Sequence, residues 1–298
     1  MPELLDTTPY TSAPKKSEPV AYHKRDLILY ALGIGSTDLR YVYEGDSAFA
    51  AFPTYPLVLL KKGNLEGVLP FPSPFMMGFP LPKLEGETVA LDAEKFVEKV
   101  NELPQDGASM KMVGGVCGIH KKGKGALIEQ ELEMVDDQGK VYYRIVDSSF
   151  HVGAKNFTET GRTFSMAVPA PKETPLHVVE TPTSEHINLI YRLSGDYNAL
   201  HADTAVAKAS GFDRPIMHGQ CTLGVATRAL LETLAGGNQK RFKSIQCRFA
   251  APVFPGETLV TEIWKKSATE FIFQTKAKST GGLCCSNGLI VLNPEAKL

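Results

Sequence analysis

One order of patterns runs through this chain twice, and that repeat restricts its fold more than any single residue does. In the first half, "HKRDLILYALGIGSTDL" leads to "FPTYPLVLL" and then to the alternating runs of "SMKMVGGVCGIHKKGKGALIEQELEMVDDQGKVYYRIVDSSFHVG". In the second, "SEHINLIYRLSGDYNAL" leads to "RPIMHGQCTLGVATRALLETLAGG" and then to "KSIQCRFAAPVFPGETLVTEIWKK", "EFIFQTKAKST" and "LCCSNGLIVLN". Each half reads as a turn-rich lead-in, a helix and a meander of strands, with a period near half the chain. The second helix is well marked. After Gly219, Leu223, Ala226, Leu230 and Leu234 recur at helical spacing, and Gly236-Gly237 supply a stop. Gly224, Ala226 and Ala229 are small enough to let a curved antiparallel sheet wrap closely around that helix. Between the halves, at 156–176, the periodicity lapses and Pro, Thr and Lys accumulate, as in a surface linker. The expected fold class is α+β.

At 298 residues, 43% hydrophobic and 22% charged, the chain has the material for a full core. Its net charge of −1, with both signs interspersed, gives no footprint for nucleic acid or an anionic membrane. Five cysteines without a CxxC pair argue against a disulfide framework and a structural zinc site. No apolar run reaches the roughly 18 residues of a membrane span, and the start lacks a signal peptide's apolar segment. Residues 1–20 read as a flexible arm. The final Ala296-Lys297-Leu298 is a close variant of the Ser-Lys-Leu address read by a peroxisomal import receptor, so a peroxisomal location is expected.

The chemistry concentrates in "SGDYNALH" and "RPIMHGQCTLG". Neither a strand nor a helix brings Asp196, Asn198 and His201 to one face, so a turn between short helices must do so, with Asp203 capping the alanine-rich helix that follows. Each residue has an ordinary structural use: a turn cap, a loop-satisfying amide, a half-buried imidazole. Their density beside His218-Gly219 points further. Gly219 opening a buried helix leaves backbone N–H groups and a positive dipole end where an oxygen gaining charge could sit. A carboxylate, an imidazole and such a donor within 25 residues are equipment for moving protons beside a carbonyl. Asp196, His201, Asp203 and His218 show no recognised metal-ligand spacing, and no metal is expected. Cys221, on an apolar helix, reads as packing.

"YRLSGDYNALHADTAVAKASGF", "PIMHGQCTLG" and "RFAAPVFPGETL" resemble the type 2, (R)-specific enoyl-CoA hydratases of the MaoC-like family, whose members include the hydratase part of peroxisomal multifunctional enzyme type 2. "KRDLILYALGIG", "DLRYVYEG" and "FPTYPLVL" extend the likeness to the first half. The resemblance implies a double hot-dog: two helices, each wrapped by an antiparallel sheet. Residues 21–155 would form a non-catalytic half that binds the acyl chain, with Leu57 in its helix region placed to affect chain length, and 177–295 would form the catalytic half. Gly35 falls roughly where Asp196 sits in the second half. The resemblance assigns catalysis to Asp196, His201 and Asn198, the oxyanion contact to Gly219, and acyl-CoA contacts to Gly86, Lys122 and Phe249. Ala199 replaces the family's proline, which loosens the loop without removing a reacting group. Glu85-Gly86-Glu87-Thr88 stands for the usual His-Gly-Glu-Gln, so Glu85 departs from the pattern. The implied activity is hydration of trans-2-enoyl-CoA to (3R)-3-hydroxyacyl-CoA by a homodimer without a cofactor. No glycine-rich dinucleotide motif occurs, so a stand-alone hydratase is expected. A hot-dog thioesterase and a non-catalytic acyl-CoA-binding protein are the alternatives.

Overall fold

Runs such as Glu270–Ala277, alternating apolar and polar, are stable only as strands with one face on a core. In the computed structural model, which describes residues 4–295, such strands form one continuous antiparallel sheet. The first half comprises α1 (Thr8–Thr11), β1 (Lys16–His23), α2 (Lys24–Gly33), α3 (Leu39–Val42), α4 (Pro56–Lys62), α5 (Pro74–Gly78), β2 (Val89–Lys99), β3 (Gly107–Lys122), β4 (Gly125–Val135) and β5 (Val141–Val152). A short β6 (Thr160–Gly161) lies in the connection. The second half comprises β7 (His177–Pro182), α6 (Ile187–Tyr191), α7 (Thr204–Ala209), α8 (Gly219–Ala235), β8 (Phe242–Phe249), β9 (Thr258–Lys265), β10 (Glu270–Ala277) and β11 (Leu283–Leu292).

The strand order β1-β3-β4-β5-β2-β8-β11-β10-β9-β7 gives the repeat a physical form. Taking each half's strands in sequence, both are laid out first-third-fourth-fifth-second. The two second strands, β2 and β8, pair antiparallel through Glu94–Glu98 and Ser244–Arg248 and fuse the halves. This is a double hot-dog fold.

Its two helices are unequal. α8 is buried on nearly every side, from Gln220 to Thr227 and from Ala229 to Leu231, and ends where Gly236 adopts the left-handed conformation (φ 56°, ψ 30°). Its counterpart α4 has only seven residues, started by Pro56 and ended by Gly63 at φ 60°. Two expectations change here. Gly224 makes room for a helix, not for the sheet: a Cβ there would lie 2.5 Å from Ile34 Cγ2 of the turn after α2. Leu57 is fully buried in the main core, so enlarging it would strain packing instead of trimming an acyl channel.

The flexible arm and free linker are also corrected. Thr7 is fully buried and hydrogen-bonded to Thr158, and Lys16–His23 is an edge strand paired with β3. Along 156–176, Glu129 accepts the Phe164 and Ser165 N–H groups, Asn287 accepts that of Val168, and Trp264 Nε1 donates to the Glu173 carbonyl. A proline-rich composition limits regular structure, but fixed partners on the sheet still order the segment. Ala296-Lys297-Leu298 lies outside the described residues. No helix among the described residues is long and apolar enough to cross a membrane.

Candidate active site

The polar cluster is positioned by a succession of short turns. α6 tightens into a single 3-10 turn at Arg192–Ser194, and Gly195, at φ 137°, redirects the chain into Asp196. Only glycine suits that place: its φ is hostile to side chains, and a Cβ would lie 2.6 Å from Lys62 Cβ on α4. The catalytic-side loop of the second half is thus pressed against the last turn of the first half's helix. Asn198 caps the next turn, its Oδ1 accepting from Leu200 N at 3.1 Å, while its own N–H donates to Asp196 Oδ1 at 3.3 Å. Asp203 then caps α7 through the N–H groups of Ala205 and Val206, as expected. Asp196 and His201 end up buried, 7% and 9% exposed.

Hydrogen bonding fixes the state of both imidazoles. His201 Nδ1 lies 2.9 Å from the Ile216 carbonyl, which only accepts, so Nδ1 carries the proton and Nε2 presents a lone pair. His218 Nε2 likewise donates to the Asp196 carbonyl at 3.1 Å. The two rings stack with centroids 3.7 Å apart. Burial pushes His218 down to about 3 and also lowers His201, against the pull of Asp196. For Asp196, burial acts upward but is outweighed by His218, Lys61, His201 and the Asn198 N–H, which hold the carboxyl below its usual range. Near neutral pH both imidazoles are uncharged, so Lys61 and the Asn198 N–H remain as the stabilising partners of the carboxylate. The result is two proton acceptors, a carboxylate and an imidazole Nε2, in one buried loop.

Beside them α8 begins. His218 is its N-cap but makes no side-chain cap, so the first-turn N–H groups are free for a ligand oxygen. Phe249, at the end of β8, closes over this point: a Cβ on Gly219 would meet its ring at 3.0 Å. Asp196, His201, Gly219 and Phe249 therefore belong to one site, with Asn198 serving mainly as the cap that shapes it.

Lys122 and Gly86 are placed elsewhere. Lys122 Nζ is 3.1 Å from Glu94 and also bonds Ser165, and Glu94 holds Arg248 at 2.8 Å. Glu94 and Arg248 point to one face of the sheet, whereas their strand neighbours Lys95 and Phe249 share the other, with Lys95 Nζ 5.8 Å from the Phe249 ring centroid. Gly86, at φ 76°, serves a tight turn against Gly153 and Lys155 and lines an open cleft of about 720 Å³ with Leu4, Leu5, Lys83 and Asn156. No residue of the Asp196 cluster lines that cleft. Conversely, His218 belongs to the site. Its position directly before Gly219 was the available signal, but its backbone bond to Asp196 joins residues 22 positions apart and exists only in the folded chain. No group of three or more His, Cys, Asp and Glu side chains among the described residues is arranged to hold a metal ion.

Fold and site together define a double hot-dog protein with a buried pair of proton acceptors beside the uncapped start of a helix. Residues 20–153 match the MFE-2 hydratase 2 N-terminal domain and residues 166–283 match the MaoC like domain. The chain belongs to the MaoC-like hydratase 2 family. Mouse peroxisomal multifunctional enzyme type 2 is 34% identical over 283 residues, covering 93% of this chain, which spans only 37% of that protein's length. The probable enoyl-CoA hydratase 2 of Dictyostelium discoideum is 33% identical over 293 residues, 95% of each chain. The crystal structure of a MaoC-like dehydratase from Phytophthora capsici superposes with a TM-score of 0.91 at 37% identity, covering 96% of this chain and 97% of the other.

Proposed function

We propose that this protein adds water reversibly to trans-2-enoyl-CoA, giving (3R)-3-hydroxyacyl-CoA in peroxisomal β-oxidation. The observation that carries the reading is the buried pair of acceptors, Asp196 and His201 Nε2, beside the uncapped start of α8 at Gly219. A water donating one O–H to each acceptor is oriented with its oxygen toward the substrate. The Gly219 N–H and the helix dipole polarise the thioester carbonyl, which makes C3 electrophilic and stabilises the enolate. One member of the pair takes a proton as the oxygen adds at C3, and the pair returns one proton to C2. Every step is a proton transfer or an addition, so the chain's own groups suffice and no cofactor is assigned. Relatives named enoyl-CoA hydratase 2 support the substrate, and their peroxisomal names support the location.

In this reading the first half, residues 21–155, accommodates the acyl chain and residues 177–295 carry the chemistry. Asn198 shapes the loop, while Lys122 and Gly86 are assigned to CoA contacts outside the reacting centre. Ala296-Lys297-Leu298 is the assigned import signal. The working unit is a homodimer, as the family resemblance implies.

Incubation with crotonyl-CoA and long-chain enoyl-CoAs tests the activity. Hydration removes the conjugated enoyl-thioester absorbance with no free thiol, and chiral separation should give the (3R) product. Release of free CoA would mean a thioesterase, and binding without turnover an acyl-CoA-binding protein.

A further inference from the structure

The inner face of the first half's sheet changes character within one row. Leu132, Ile145 and Val97 lie side by side on β4, β5 and β2, in the main core and at most 3% exposed. One row along the same face stand Gln130, Asp147 and Lys95. The row after that places Ser149 and Asp92 on β5 and β2, because a bulge at Ala93 turns Asp92 to the side of Lys95. Lys95 is completely buried and bonds both Asp147 and Asp92, whose side chains keep 18% and 37% exposure. Carboxylates on a core-facing side reach solvent only through a recess.

This recess adjoins the start of α8. Lys95 Nζ lies 5.8 Å from the centroid of the Phe249 ring, and that ring is what a Cβ on Gly219 would touch at 3.0 Å. The next residue, Gln220, is 2% exposed, yet among the described residues neither its Nε2 nor its Oε1 has a hydrogen-bond partner. Side chains on a helix lean toward its N-terminus, so this carboxamide is directed to the same uncapped end. Its stripe faces the first half: Gly224, one turn on, abuts Ile34 and Tyr30. A buried amide without partners is costly in the free protein, and an alkyl chain passing it would not offset that cost.

We propose that the acyl group taken by this site carries a hydroxyl close to the thioester, hydrogen-bonded by the Gln220 carboxamide in a recess walled by Asp92, Asp147 and Gln130. A hydroxyl can donate to Oε1 or accept from Nε2, and a methylene can do neither. Its neutrality matters as well. The Lys95 ammonium is taken up by its two carboxylates, so the wall offers carboxylate oxygens, which suit a hydroxyl donor and repel a second carboxylate on the acyl group. This hydroxyl is distinct from the one formed at C3, which Asp196 and His201 hold. The inference rests on the hydratase reading for the place of the carbonyl at Gly219, but the polarity of the recess does not depend on it.

The test compares trans-2-octenoyl-CoA with its 5-hydroxy derivative in the wild-type protein and in Gln220→Leu. The wild type should favour the hydroxylated substrate about tenfold or more in kcat/KM. Gln220→Leu should erase or reverse that preference, losing on the hydroxylated substrate and gaining on the plain one. Because the same pair is measured in both proteins, any effect of the hydroxyl on the reactivity of C3 cancels. Gln220→Met takes the place of Gln220→Leu if the latter does not fold. Calorimetry with saturated octanoyl-CoA and 5-hydroxyoctanoyl-CoA gives a readout without turnover, and the hydroxylated ester should bind about tenfold tighter. A plain substrate that does as well as the hydroxylated one, the result expected if internal water satisfies the amide, overturns the proposal, as does a preference that survives Gln220→Leu. Tighter binding of the hydroxylated ester by a protein that hydrates neither substrate would instead sink the hydratase reading and leave the polar recess standing.

Discussion

Asp196 and His201 are useful to a water molecule because folding removes their alternatives. Both are buried, and His201 Nδ1 is occupied by a carbonyl, so Nε2 has nothing else to accept from. Asp196→Asn and His201→Ala should each lower kcat by roughly 10²-fold or more while leaving the melting temperature within a few degrees. The double variant should lose little beyond either single one, because one acceptor cannot hold the shared water. Steady-state kinetics and thermal melts on the three proteins check this; near-normal turnover in folded Asp196→Asn would remove the mechanism. His218 gives a second prediction at this scale. Its folded value, about 3, lies below its ordinary 6.5, so its stability contribution is complete above pH 6.5 and is lost as pH falls toward 3. Urea titrations between pH 7.5 and 4.5 should show His218 contributing a loss of up to about 1.4 kcal/mol per pH unit, and His218→Gln should flatten that slope. The residue types of this site were legible in the sequence. The tautomers were not, since they depend on Ile216 and on the Asp196 carbonyl being brought back onto the rings.

At the scale of elements, the contrast between α8 and α4 governs what each half can do. Helical spacing and the Gly236-Gly237 stop made α8 readable, and its buried face agrees. The shortness of α4 was harder to foresee, because "FPTYPLVLL" is apolar at almost every position and gives no period to measure. Gly224→Ala tests how tightly α8 is held. In an exposed helix this change should stabilise, but here the new methyl would sit 2.5 Å from Ile34 Cγ2 and 3.2 Å from Tyr30 Oη. We expect a loss of about 1–3 kcal/mol in denaturant unfolding, and unchanged or raised stability would mean that Ile34 moves aside freely. Gly86 and Lys122 illustrate the opposite difficulty. The motif resemblance assigns them to CoA contacts, but only pairing across the sheet shows that Gly86 sits in a turn against Gly153 and Lys122 on the face opposite Phe249, away from the Asp196 cluster.

Across the whole molecule, the two halves are not separable units. The β2–β8 junction joins their sheets, Gly195 packs on Lys62, and Gly33 on α2 approaches the Tyr191 backbone so closely that a Cβ would lie 3.0 Å away. Gly35, the counterpart of Asp196 after its own helix, faces Arg228 of α8, so each half lends its loop to the helix of the other. Residues 177–295 expressed alone should therefore fail to fold as a monomer, leaving β8 with a bare edge and α8 without Tyr30 and Ile34. The full chain should unfold in one transition. Circular dichroism and hydrogen exchange on both proteins check this, and a cooperative, well-protected isolated half would refute it.

The sequence by itself determined the repeat, the α+β class, the helix from Gly219, the Asp203 cap and the residue types gathered in the candidate site, because each depends on local period, turn chemistry or residue type. Tertiary structure alone decided the length and neighbours of α4, the order of the arm and linker, the proton positions on His201 and His218, and the packing of Gly195 against Lys62. Those features are contacts between segments far apart in sequence. A one-dimensional pattern records which groups a residue brings, but only the closed sheet fixes which groups it meets.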